Sequence, residues 1–415
     1  MDKNILKQNT NNVIWNIIGA TLYSFTSFIF TIIVTRINGI ENAGIFTYSY
    51  ATACILFVIG IYYGRTFQVT DITEKYSDTD YIYNRLITSL LMLLSGTLFC
   101  VIKKYDIYKS SIFILLIGYK AIEAFSESIY GVIQKNERLD LVGKSFTMKA
   151  LLGLLFFLVI DLITKNLILS CLGICIASLF ILFIYDFKNA KRIGIKKTKF
   201  SHQVDITLFK IGFFTFALTF LSQYIINSSR YAIDDLSSED IQAIFGYILM
   251  PATFMGLLGQ FIIQPILTSI STCIKESNKD KLVKIIIKVF LIIFSIGIIA
   301  LIVAYVLGIP VLQLVYGIDL SEYLIPLMII ILGSIFYSVE LFESTVLIAL
   351  RKTKWQAFYY LITAILSTLI AYILIKKYQI LGASLTYLFT MLIIAIILLI
   401  YMIFSINKNL KVNED

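Results

Sequence analysis

Three charged residues inside an apolar stretch carry the strongest chemical signal in this chain. Residues 111–145 read SIFILLIGYKAIEAFSESIYGVIQKNERLDLVGKS and contain Lys120, Glu123 and Glu127. Their i, i+3, i+7 spacing places all three on one helical face. A charge at mid-bilayer costs about 2.5–3.5 kcal/mol, so three on one face require an interior, watered or paired lining. Two chemistries fit. Glu123 and Glu127 can exchange a proton or another cation with Lys120 as counter-charge, or Lys120 can neutralise one of them in a triad that fixes the helix. A second acidic pair, Glu340 and Glu343, lies in Val339-Glu340-Leu341-Phe342-Glu343-Ser344, which echoes Ile122-Glu123-Ala124-Phe125-Ser126-Glu127-Ser128 with a one-residue gap. It is the matching candidate for ion coupling.

Arg36 and Arg230 close two polar-studded runs, as Thr35-Arg36 and Ser229-Arg230. A guanidinium matches phosphate oxygens bidentately, so both are candidates for an anionic substrate. Snorkelling to headgroups explains the same positions. Neutral polar stripes precede them: Asn12, Asn16, Gly19, Tyr23 and Ser27, then Gln223 and Asn227. Such stripes hold helices together, and they also suit a sugar, which needs many neutral donors and acceptors. The single histidine, His202, falls in a basic loop and reads as a solvated side chain. Five cysteines, an odd number mostly within apolar runs, give no disulfide framework, and Cys171 and Cys175 read as packing residues rather than a metal site. Glycine-rich phosphate loops, an HExxH motif and a histidine base are all missing. The residues therefore point to transport, not enzymatic catalysis, with no cofactor or metal and with an ion or substrate gradient as energy source.

The elements that position these residues are membrane helices. The 415 residues are 59% hydrophobic and only 15% charged, with mean hydropathy +0.87. Soluble proteins run at about 45–50% apolar and about 25% charged. The apolar excess falls in long runs that predict an all-α integral membrane protein with twelve spans, near 13–35, 44–64, 86–102, 111–133, 146–164, 167–185, 211–232, 242–268, 285–307, 323–350, 355–375 and 381–405. With the amino terminus inside, Lys and Arg number 26 in inside segments and 7 outside; Lys120 and Arg230, within spans, complete the 35 of the chain. That asymmetry predicts cytoplasmic termini and accounts for the net charge of +9 without nucleic acid. The longest basic loop, residues 186–210, divides six spans from six and predicts lobes of residues 1–198 and 199–415. Corresponding charges in corresponding helices are the mark of parallel transporter repeats. Pro251 and Pro265 in the eighth span predict a kink or a hinge.

Several runs, in order, resemble a known family. They are Tyr63-Gly64-Arg65-Thr66-Phe67-Gln68-Val69-Thr70-Asp71-Ile72, then Tyr130-Gly131-Val132-Ile133-Gln134-Lys135-Asn136-Glu137-Arg138-Leu139-Asp140, then Gly143-Lys144-Ser145, Arg230-Tyr231-Ala232-Ile233-Asp234, Met250-Pro251-Ala252, Gln264-Pro265 and residues 312–323. Along nearly the whole chain they look like bacterial Wzx-type flippases, exporters of O-antigen and capsule repeat units in the multidrug/oligosaccharidyl-lipid/polysaccharide (MOP) superfamily. The resemblance implies two six-helix bundles around a central cavity, as in MATE transporters. It also implies an undecaprenyl-pyrophosphate-linked oligosaccharide as substrate in the bacterial cytoplasmic membrane, alongside membrane lipid and with a polymerase and glycosyltransferases as working partners. Family members use cationic cavity residues, which carries over to Arg36, Arg65, Lys120 and Arg230 as candidates. The competing expectation is a cation-coupled multidrug antiporter of the same fold, in which Glu123 and Glu127 bind a cation directly. A polymerase or ligase fits less well, because the outside loops are short.

Overall fold

The computed structural model describes residues 3–71, 76–196 and 202–409. The helices follow where the apolar runs lie: α1 (Lys3–Asn38), α2 (Ile40–Ile61), a short α3 (Gly64–Thr70), α4 (Asp78–Lys103), α5 (Ile107–Lys135), α6 (Leu139–Thr164), α7 (Leu167–Ile181), α8 (Phe187–Ile193), α9 (His202–Leu236), α10 (Glu239–Lys275), α11 (Lys279–Val303), α12 (Ile309–Tyr316), α13 (Leu324–Ala349) and α14 (Thr353–Asn409). A π-helical turn, Leu182–Asp186, joins α7 to α8, and another, Ala304–Gly308, joins α11 to α12. No strand is present among the described residues. In lipid a helix satisfies its own backbone hydrogen bonds, which is why nearly everything here is helical.

Among the described residues, ten helical segments are long and apolar enough to cross a bilayer, which makes this a multi-pass membrane protein. Two features qualify that count. Lys120, Glu123 and Glu127 interrupt the apolar run of α5, although its 29 residues are long enough to span. The 57 residues of α14 would run about 85 Å as one rod, far beyond a hydrocarbon core of about 30 Å. The chain reverses instead at Gln379, where φ is +49°. A side chain at Gly382 would sit 2.2 Å from the Leu374 carbonyl oxygen, so the reversal needs glycine there. Each arm of α14 exceeds the ~20 residues a span requires. Pro251 and Pro265 both lie inside the single 37-residue helix α10.

The chain parts into two compact units, Met1–Phe216 and Ala217–Asp415. The division falls within α9, rather than in the basic loop between residues 198 and 199. In the first unit α1 lies on α6 through glycine. An added carbon at Gly19 would stand 2.1 Å from the Gly143 carbonyl oxygen, and one at Gly143 would meet the backbone of Trp15 and Asn16. Phe30, Phe46 and Phe157 close the interior of α1, α2 and α6, with Phe30 and Phe157 ring centroids 4.8 Å apart. Ser77 and Asp80 form a reciprocal capping box at the start of α4, and Asp106 caps α5 at the Lys109 amide, 2.7 Å away. In the second unit α13 is the central packing helix. Gly256 and Gly259 of α10 admit Tyr337 and Ser338 of α13, and Gly333 of α13 admits Tyr387 of α14.

Candidate functional site

The first unit contains a cluster of buried and part-buried charge built on one face of α5. Glu123, Ser126, Glu127 and Tyr130 recur at i, i+3, i+4 and i+7, one stripe on the helix. Lys120, one turn earlier, places Nζ 2.8 Å from Glu123 Oε2, and both side chains are buried. The ammonium is also held between rings, 4.8 Å from the centroid of Tyr50 and 5.1 Å from that of Tyr119. Such contacts offset part of the cost of desolvating the cation.

Two further cations reach the stripe from neighbouring elements. Lys149, only 3% exposed in α6, donates to Ser126 Oγ at 2.7 Å and to Tyr130 Oη at 2.7 Å. Its third partner is Asp186 Oδ2, 3.0 Å away in the π-helical turn. An ammonium has three N–H donors, so Lys149 is saturated. Tyr130 in turn lies 2.8 Å from Ser145 Oγ. Arg65, on the short helix α3, stands 3.5 Å from Glu127 Oε2, with both side chains about one-fifth exposed. Its Nη1 has no hydrogen-bond partner among the described residues. Arg85 of α4 is fully buried, donates to the Gly60 carbonyl at 2.9 Å and lies 5.1 Å from the Tyr63 ring. Lys120, Lys149 and Arg65 thus face Glu123, Asp186 and Glu127, three cations for three carboxylates, while Arg85 is buried against a carbonyl and a ring. Among the described residues no His/Cys/Asp/Glu cluster could hold a metal ion.

No family model matches the chain. It is 27% identical over 370 residues to the capsular polysaccharide biosynthesis protein CapF of Staphylococcus aureus, covering 88% of this chain and 92% of the relative. An inward-facing multidrug-resistance MATE transporter of the MOP superfamily superposes with a TM-score of 0.73 at 12% identity, covering 97% and 99% of the two chains. An outward-facing MATE transporter gives 0.59 at 14% identity over 98% and 97%. A MOP superfamily transporter from Pyrococcus furiosus, described as having a binding pocket of reverse polarity, gives 0.59 at 15% over 97% and 96%. The chain is thus similar to CapF over most of both lengths and shares the fold of these MATE and MOP superfamily structures. The resemblance to polysaccharide repeat-unit flippases of that superfamily agrees with both findings.

Of the residues singled out by sequence, the structure brings Arg65, Lys120, Glu123 and Glu127 into this one network. The others lie elsewhere. Arg36 is exposed at the end of α1, and Asn16 is half-buried earlier on the same helix. Most of the α1 stripe does pack against other elements: Asn12 donates to the Glu137 carbonyl at 2.8 Å, and Tyr23 meets the Tyr119 hydroxyl at 3.0 Å. In the second unit Arg230 is buried with its guanidinium 5.8 Å from the Phe245 ring. Asn227 turns back to the Gln223 carbonyl at 2.9 Å. Glu340 and Glu343 of α13 are both buried. Glu340 accepts a hydrogen bond from the Tyr360 hydroxyl, whereas neither carboxylate oxygen of Glu343 has a hydrogen-bond partner among the described residues. All five cysteines are free thiols. The side chain of His202 lies outside the described residues.

Arg85, Lys149 and Asp186 correct the loop assignment. Arg85 and Asp186 stand one residue outside expected spans, and Lys149, near the start of the span 146–164, is counted with the inside charges; in the structure they are buried in α4, the π-helical turn and α6. A signal was present for Lys149. Helix α6 has no proline between Leu139 and Thr164, so a lysine ten residues from its start stands about 15 Å along the axis. Charge alone drew the span boundary too late.

Proposed function

We propose that this protein is a flippase that moves undecaprenyl-pyrophosphate-linked oligosaccharide repeat units across the bacterial cytoplasmic membrane, for capsule or O-antigen synthesis. The observation that carries the reading is the charge cluster around α5, in which Lys120, Lys149 and Arg65 pair with three carboxylates and Arg85 lies buried without one among the described residues, inside a membrane-spanning unit. A diphosphate cannot cross hydrocarbon bare, and a hydrated sugar chain fares worse, while a polyprenyl tail can stay in lipid. Buried positive charge lowers the first barrier, and neutral polar residues such as Asn16, Gln223 and Asn227 suit the second. Arg65 is the proposed first contact for phosphate, because it is part-exposed and has N–H groups to give. Arg36, Lys120 and Arg230 are proposed further contacts along the path. The relationship to CapF over most of both chains supports a role in capsule synthesis.

In this reading the ten clear spans, α5 and the second arm of α14 make twelve, in two six-span lobes with both termini in the cytoplasm, working by alternating access. A polymerase and glycosyltransferases are the proposed neighbours in the membrane. The test is a reconstituted leaflet assay with lipid-linked oligosaccharide, with and without a proton gradient. The flipping rate is expected to fall at least tenfold in Arg65→Ala with reconstitution yield unchanged. Undiminished flipping in Arg65→Ala, Lys120→Ala and Arg230→Ala would overturn the reading.

A second reading, a cation-coupled multidrug antiporter, draws on the buried acids Glu340 and Glu343, which lack ion-pair partners among the described residues. Cells lacking the protein would then keep their surface polysaccharide and become drug-sensitive. Loss of polysaccharide with accumulation of the lipid-linked intermediate supports flipping instead.

A further inference from the structure

The two arms of α14 enclose a groove that the transport reading does not use. It has a volume of about 490 Å³ and is lined by Trp355 and Tyr359 from the first arm, Tyr401 and Phe404 from the second, and Lys352 and Lys408 at its mouth. The volume falls in the ~300–1,000 Å³ range of small-molecule sites. The groove is open: Trp355 is 56% and Phe404 61% exposed. We propose that it binds the headgroup of an anionic glycerophospholipid, with the phosphate between Lys352 and Lys408 and the acyl chains running down the apolar face of α14.

Charge complementarity selects this occupant. Among the described residues no aspartate or glutamate lines the groove, and none occurs in the sequence from Arg351 to Asn409, the next acids being Glu414 and Asp415. Arg351 and Lys354 add exposed positive charge beside the mouth. Because the chain reverses at Gln379, the start of one arm and the end of the other bring their lysines to the same end of the hairpin. The residue types change along the groove as the depth of a lipid does: lysine at the mouth, tryptophan and tyrosine next, then Ile397 and Ile400. Amphipathic rings settle at the headgroup level and lysines reach past them to phosphate. Basic pockets between membrane helices are established binders of anionic lipid headgroups. Tyr359 and Tyr401, with ring centroids 5.1 Å apart, hold the two walls in register. The site stands whether or not the chain carries oligosaccharide.

Trp355 supplies its own probe, since Trp15 is the only other tryptophan. Trp15→Phe protein is reconstituted in phosphatidylcholine vesicles containing equal fractions of dibrominated phosphatidylglycerol or dibrominated phosphatidylcholine, and Trp355 quenching is read. Phosphatidylglycerol is expected to quench at several-fold lower mole fraction. Lys352→Ala/Lys408→Ala should reduce that preference at least fivefold, because each lysine near an anionic headgroup strengthens the attraction. Lys352→Arg/Lys408→Arg should keep it, as should Lys376→Ala/Lys377→Ala away from the groove. Equal quenching by the two lipids, or a preference that survives removal of both lysines, would overturn the proposal. So would protection from both lipids, which would mean that a second copy or another protein covers the groove.

Discussion

Helices α5 and α13 carry the same sequence echo and treat it in opposite ways. On α5 each acid has a cation: Lys120 for Glu123 and Arg65 for Glu127, while Lys149 and Asp186 extend the network to α6 and the π-helical turn. On α13, among the described residues, Glu340 has only the Tyr360 hydroxyl, and Glu343, fully buried, has no hydrogen-bond partner. Neither has an ion-pair partner among the described residues. The difference teaches that an acidic motif in a membrane helix does not define its own role. Neighbouring elements decide whether it becomes half of an ion pair or a lone carboxyl. The first arrangement resists change, because removing one partner strands the other. The second leaves a group with spare capacity for a proton or a cation.

The contrast can be broken by substitution. The largest effect is expected at Lys149, where alanine strands Asp186 and removes three hydrogen bonds. Thermal unfolding in detergent should show a loss of about 3–5 kcal/mol, the cost of breaking a buried pair. Lys149→Met combined with Asp186→Asn should recover much of it, and additive losses in the double variant would show that the two are not coupled. Glu123→Gln should come next, at about 2–3 kcal/mol, because Lys120 loses its carboxylate but keeps its aromatic surroundings. Arg65→Ala sharpens the comparison by separating function from stability. Its ion pair is part-exposed and should contribute no more than about 1 kcal/mol to folding, so a large fall in flipping would report substrate contact. The smallest effect belongs to α13. Glu343→Gln removes no ion pair and should change stability by no more than about 0.5 kcal/mol. A loss as large as that of Glu123→Gln would mean that Glu343 has a counter-charge after all, and the contrast between the two helices would fail.

Several of these features were legible before any coordinates. Runs of 20 or more apolar residues cannot be left in water, and in lipid they have little choice but to be helical, so all-helical membrane character follows from composition and run length. The stripe of Lys120, Glu123 and Glu127 was legible for the same reason, since a charge stands out against an apolar run. Arg85, Lys149 and Asp186 did not stand out. They lie near the polar ends of their runs, where a charge in a loop and a buried charge read alike.

What the sequence determined by itself was therefore the material and its periodicity: membrane helices, the face on which α5 carries its charges, and the echo of that face on α13. The tertiary structure alone decided the pairings. It took Glu127 away from Lys120 and gave it to Arg65, buried Lys149 against Asp186 37 positions along the chain, and left Glu343 with neither. Helical periodicity is a property of neighbours three and four residues apart, whereas an ion pair forms between whichever groups packing brings within a few ångströms.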